Sequence, residues 1–134
     1  MVAVAGAWSN RVFRLRTDEG LYAVKELRNP WADPGWREWL HAAWTFEQLA
    51  FTTGVAMPTP IPNPLDGSCL AWVDVGEGGT QVPVRVHEWV QAASPGMGPV
   101  TAPVAAWAGT TLAALHALAA VSYTHLTLPT KRIV

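Results

Sequence analysis

The chain has 134 residues, 50% of them hydrophobic and 14% charged, enough for one domain with a real core. A net charge of −1, a pI near 6.4 and no run of Lys or Arg leave no electrostatic footprint for nucleic acid or anionic lipid. Cys69 is the single cysteine, which excludes an intramolecular disulfide; no Cys/His cluster points to zinc, and a reducing cytoplasm fits.

The N-terminal MVAVAGAW is apolar but lacks a basic leader, and nowhere do roughly 18 apolar residues run uninterrupted. The expectation is a soluble, untargeted protein that partners neither nucleic acid nor membrane. Residues 2–5 form a first strand candidate. Residues 12–17 are β-rich, Asp18, Glu19 and Gly20 supply a turn, and residues 21–27 are β-rich again, which reads as a hairpin. RNPWADPG, with Pro30, Pro34 and Gly35, then breaks the pattern.

From residue 36 to 51 the period changes to that of a helix. Trp36, Leu40, Ala43, Glu47 and Phe51 fall on one face at about 100° per residue, and Gly54 is a plausible stop. Prolines at 58, 60, 62 and 64 predict an extended connector, and Asp66 with Gly67 a turn. Two more strand candidates, 69–75 and 82–90, flank the hairpin glycines of GEGGT. QAASPGMGPV reads as a loop. Pro103 and the series Val104, Trp107, Ala108, Thr111, Leu112, Leu115, Leu118 and Ala119 predict a last helix over 102–120. The fold class is therefore α+β: about five antiparallel strands with one helix inserted after the third. The tryptophans at 36, 39, 44 and 107 are expected to be mostly core, and His41 and His116 to be packed or surface residues.

Two charges sit on apolar faces. In GLYAVKEL, Lys25 shares a strand face with Leu21, Ala23 and Leu27, and Glu47 lies in line with Leu40 and Ala43 on its helix. A lone buried charge costs several kcal/mol, so the least expensive arrangement lets the helix pack on the sheet and Lys25 meet Glu47. Snorkelling to the core's edge, or a purely structural ion pair, satisfies the same pattern.

The order of elements resembles the small lobe of a protein-kinase-like fold: a hairpin bearing an inward Lys, a helix bearing an inward Glu, two strands, then a short connection into helix. Within that fold the chain is similar to the aminoglycoside phosphotransferase family over most of residues 6–120. The residues that carry the likeness are SNRVFRLRTDEGLYAVKEL at 9–27, FEQLAFTTGVAMPTPIP at 46–62, VRVHEWV at 84–90 and AGTTLAALHAL at 108–118. The resemblance implies that Lys25 holds the α- and β-phosphates of ATP and that Glu47 orients Lys25. It makes residues 6–10 a phosphate-covering loop whose Trp8, Ser9 and Asn10 N–H groups face phosphate oxygens, although only one glycine, Gly6, is present and an ordinary hairpin turn fits the same residues. By position, Glu88, Trp89 and Val90 become the hinge that pairs with adenine.

Phosphoryl transfer also needs an aspartate to accept the substrate's hydroxyl proton, and Asp and Asn ligands for magnesium. The aspartates are Asp18, Asp33, Asp66 and Asp74, none in an HxD segment with a following Asn. The resemblance implies an ATP-binding small lobe over 1–91, then a linker and first helix of a large lobe over 92–120, with ATP and magnesium as cofactors and the magnesium ligands in a lobe outside this chain. VSYTHLTLPT within residues 121–134 is similar to a translated transposase adapter used in DNA sequencing, so an artefactual tail on a truncated gene is expected there.

The expected function is the nucleotide-binding part of a small-molecule kinase that transfers the γ-phosphoryl group of ATP to a hydroxyl of an aminoglycoside or another small metabolite. The chain by itself is expected not to catalyse. The rival reading is a non-catalytic interaction or nucleotide-binding module, with Lys25 and Glu47 a structural ion pair.

Overall fold

A computed structural model describes residues 1–4, 10–28, 33–76, 78–91 and 98–123. The chain divides into two compact units, Met1–Trp44 with Pro58–Ala92 and Thr45–Met57 with Ala93–Val134, each described by itself.

The first unit holds an antiparallel sheet of six strands: β1 (Val2–Val4), β2 (Arg11–Arg16), β3 (Leu21–Glu26), β4 (Pro60–Ile61), β5 (Ala71–Val75) and β6 (Thr80–Glu88). Their order is β1-β2-β3-β6-β4, with β5 also on β6. The β2–β3 hairpin closes as its turn residues dictate. The Thr17 hydroxyl accepts from the N–H groups of Glu19 and Gly20, and the Thr17 N–H donates to the Gly20 carbonyl at 2.9 Å. The β5–β6 hairpin turns through Gly76 and Gly79, whose φ angles of 72° and 65° lie in the left-handed region that costs side-chain-bearing residues most.

The sixth strand was not expected. Pro60 and Ile61, in the proline-rich connector, pair with His87 and Val86 of β6. Proline lacks only the donor, so an extended connector can still join a sheet at its margin. Pro83 is almost wholly buried inside β6, where its carbonyl accepts from the Leu27 N–H at 2.9 Å.

Helix α1 (Trp36–Thr52) runs from the first unit into the second. The Asp33 carboxylate accepts from the Gly35 N–H at 2.9 Å, and Glu38 places negative charge in the first turn. At the other end Gly54 (φ 91°) makes the stop: its N–H donates to the Phe51 carbonyl and the Val55 N–H to the Ala50 carbonyl, the paired bonds of a Schellman cap.

The expected face of α1 needs correction. Ala43 and Phe51 are exposed, whereas Trp44 is half-buried and Ala50 fully buried. Periodicity defines an arc, and tertiary neighbours choose which of its members are covered. The tryptophans divide on the same ground: Trp36 and Trp44 are half-buried, while Trp39 is 72% exposed and Trp107 59%. Trp39 follows Trp36 by three residues and leaves the row of Trp36, Leu40 and Trp44, which are spaced by four.

Helix α2 (Ala102–Tyr123) extends three residues past the expected 102–120, so Val121, Ser122 and Tyr123 continue it where a break was read. None of these three residues is a proline, so each keeps the backbone N–H that continues a helix. Its apolar residues are not confined to one side. Thr111, Leu115, Leu118 and Ala119 are half-buried, yet Val104, Leu112 and Val121 are exposed. The helix contains no Asp, Glu, Lys or Arg, and over Ala102–Ser122 its mean hydropathy is 1.6. By length and composition it is able to cross a membrane, a test that core helices of soluble proteins also pass.

Candidate functional site

Lys25 lies on β3, between β2 and β6, and is half-buried. Directly opposed residues of antiparallel strands point to the same side of a sheet. Lys25 opposes Val12 on β2 and Arg85 on β6, and Ala23 opposes Arg14 and His87. One face therefore carries Arg14, Lys25, Arg85 and His87 side by side.

The other face carries Phe13, Tyr22, Val24, Glu26, Val84, Val86 and Glu88. There Arg11 pairs with Glu26 at 3.9 Å. Both faces are covered: Val24, turned away from Lys25, is the most buried residue of β3, and His87, on the lysine's side, is only 4% exposed. The sheet interior thus lies on two sides and not, as the sequence implied, on the lysine's side alone. A small cavity of about 100 Å³ under the connector, against Pro64, Leu70, Val84 and Val86, marks the second side.

The first half of α1 stands over the lysine's face. The Arg85 guanidinium lies 5.7 Å from the Trp44 ring. The Arg37 guanidinium lies 5.3 Å from Trp36 and 5.5 Å from Trp72, whose rings meet edge to face at 6.4 Å. Trp72 opposes Pro83, two residues from Arg85, and so shares that face. Such contacts fix guanidinium planes without consuming their charge.

Among the described residues of its own unit, the Lys25 ammonium makes no hydrogen bond or ion pair. Glu47 is half-buried on α1 within the second unit. The two members of the expected Lys25–Glu47 pair belong to different units. Trp8 and Ser9 lie outside the described residues. Asn10 is half-buried; its side-chain oxygen accepts from the Arg28 N–H at 3.4 Å, beside a cavity of about 330 Å³ bordered by Val4, Arg11, Val12 and Arg28.

The segment expected as hinge is firmly held. The Glu88 N–H donates to the Thr59 carbonyl at 2.8 Å, and the Thr59 hydroxyl donates to the Glu88 carboxylate at 2.6 Å. The Trp89 N–H donates to the Leu21 carbonyl at 2.9 Å, so that donor is occupied. Trp89 also receives the Arg14 guanidinium at 5.7 Å from its ring, and Val90 is exposed.

No family model, curated protein or solved structure matches the chain. Its own geometry therefore carries the functional reading. Sequence reasoning missed Arg85 and His87. The signal was available in VRVHEWV, where Arg and His alternate with valines and so share a face, but nothing local aligned that face with Lys25. His41 and His116 are exposed, as a surface reading requires. Among the described residues no group of three or more His, Cys, Asp or Glu side chains is placed to hold a metal ion.

Proposed function

We propose that this chain carries the nucleotide-binding small lobe of an ATP-dependent small-molecule phosphotransferase of the protein-kinase-like fold, similar to the aminoglycoside phosphotransferases. The supporting observation is the position of Lys25: a half-buried cation on an inner strand, on the face over which the first half of α1 stands, with no charge partner among the described residues of its own unit. A nucleotide phosphate supplies the missing anion.

In this reading Lys25 binds the α- and β-phosphates and Glu47 orients it. Asn10 belongs to the loop that covers the phosphates, with Trp8 and Ser9. Because the Trp89 N–H already donates to Leu21, adenine pairing falls to the Val90 backbone, and Trp89 with Glu88 fixes the hinge in place. Bound ATP with magnesium supplies an activated γ-phosphoryl group. The acceptor is a hydroxyl of an aminoglycoside or another small metabolite, bound outside this chain's residues. The four aspartates provide no HxD segment with a following Asn, so this chain binds nucleotide and does not itself transfer phosphate.

Titration of the chain with ATP, followed by tryptophan fluorescence, tests the reading. Lys25→Met is expected to weaken ATP binding at least tenfold with an unchanged far-UV circular dichroism spectrum. Equal affinity in the two proteins refutes the phosphate role of Lys25.

A further inference from the structure

A cavity of about 310 Å³ opens within the first unit, between the start of α1 and the loop that leads into β5. Helix α1 gives it Arg37 and Leu40, the loop gives Asn63, Asp66 and Leu70, and β5 gives Trp72. Neither Lys25 nor any other cation of its sheet face borders it. Its volume is at the lower end of the roughly 300–1,000 Å³ of small-molecule sites.

The loop wall is held by its own hydrogen bonds. The Asn63 side chain accepts from the Leu65 N–H at 3.1 Å and donates to the Leu70 carbonyl at 3.0 Å, and the Ser68 hydroxyl donates to the same carbonyl at 3.0 Å. The Asn63 and Gly67 N–H groups donate to the Ser68 and Asn63 carbonyls at 2.8 and 2.7 Å. Such a wall needs little ordering when a guest arrives, but most of its polar groups are already spent.

Two charges on the cavity are not spent. Arg37, steadied by the Trp36 and Trp72 rings, makes no hydrogen bond or ion pair among the described residues. Asp66 accepts the Ser68 N–H at 2.8 Å and makes no ion pair either, while His41 beside it favours the ionised carboxylate. Opposite charges thus border one cavity without closing on each other. A simple anion would face Asp66 and a simple cation would face Arg37, so the guest that suits both carries one charge of each sign.

We propose that this cavity binds a free α-amino acid with an apolar side chain. The Arg37 fork takes the carboxylate, Asp66 takes the ammonium, and Leu40, Leu70 and Trp72 take the side chain. The site stands independently of the nucleotide reading.

Calorimetry on the full chain tests it with three probes: L-phenylalanine, phenylpropionate, which lacks the ammonium, and phenethylamine, which lacks the carboxylate. L-phenylalanine is expected to bind saturably and at least tenfold more tightly than either analogue. Arg37→Gln is expected to weaken L-phenylalanine at least tenfold, and Asp66→Asn to bring L-phenylalanine and phenylpropionate to similar affinity. Absence of saturable L-phenylalanine binding, or an analogue that binds wild type equally well, overturns the proposal. Wild-type affinity in Arg37→Gln overturns it as well. Should Arg37→Gln lose its far-UV circular dichroism spectrum, Arg37→Lys takes its place: it keeps the charge, loses the fork and is expected to weaken L-phenylalanine at least fivefold, and unchanged affinity there overturns the assignment of Arg37.

Discussion

The six-stranded sheet and helix α2 use apolar residues in opposite ways. In the sheet, each apolar side chain has a cross-strand partner: Val24 stands between Phe13 and Val86, and Val84 opposes both Glu26 and Ala71. In α2 apolar residues occupy every side, and most remain exposed. The contrast teaches that hydrophobicity alone does not make a core. Burial comes from register, which a sheet supplies residue by residue and a helix must obtain from outside itself.

The sharpest way to break this comparison is to place one charge in each region. Val84→Asp, at a site only 4% exposed, is expected to cost about 3 kcal/mol or more and to remove the cooperative unfolding transition at ordinary temperature. Leu112→Asp, at 53% exposure on α2, is expected to cost under about 1 kcal/mol. Thermal unfolding followed by circular dichroism measures both, and equal losses would end the distinction drawn between the two regions.

Smaller changes sharpen it by probing the joints of the framework. Gly54→Ala forces a side chain into the left-handed conformation of the α1 cap and is expected to cost about 1 kcal/mol by chemical denaturation. Among the described residues nothing lies within 4 Å of the added Cβ, so the expected cost is backbone strain and not a clash. Thr59→Val removes the hydroxyl that donates to Glu88 at 2.6 Å while keeping side-chain shape. Its expected cost is about 0.5–1 kcal/mol, with faster amide exchange at Glu88 and Trp89. Unchanged exchange there would show that the backbone bonds of Glu88 and Trp89 suffice without that side-chain tie.

The smallest expected effect concerns Asp66 in the loop before β5. The Ser68 N–H donates to its carboxylate at 2.8 Å, and this bond, helped by the Ser68 side chain and the charge of His41, holds the pKa below the ordinary 3.8. A lowered folded pKa gives stability that is present above the unfolded value and lost as pH falls through the folded one. The window is therefore more acidic than pH 3.8, far from neutral conditions. A carbon-13 titration of the Asp66 carboxyl should find its midpoint below 3.8, and Ser68→Ala should raise it only part-way because the backbone bond persists. A midpoint at or above 3.8 would remove the Ser68 bond as a determinant of this loop.

Much of the framework is legible in the sequence because it is set locally. The Thr17–Gly20 turn, the start of α1 after Asp33, its stop at Gly54 and the face parity of Lys25 follow from dihedral preferences, hydrogen bonds within a few residues and the two-residue period of a strand. Half of the candidate site is of this kind: Lys25 and the segment Glu88, Trp89 and Val90 are singled out by pattern and order. The other half is not. No local rule brings Arg85 opposite Lys25, because their strands are separated by α1, the proline connector and β5, and register is fixed only when β6 docks on β3.

By itself, then, the sequence determined the order and type of nearly every element, the α+β class and the inward parity of Lys25. Only the tertiary structure decided that Pro60 and Ile61 join the sheet, that Trp44 is covered while Trp39 is not, and that a row of cations lines one face. The reason is range. Turns, caps and periods are energies between neighbours in the chain, whereas strand pairing, ring stacking and charge opposition are energies between residues that only the fold makes neighbours.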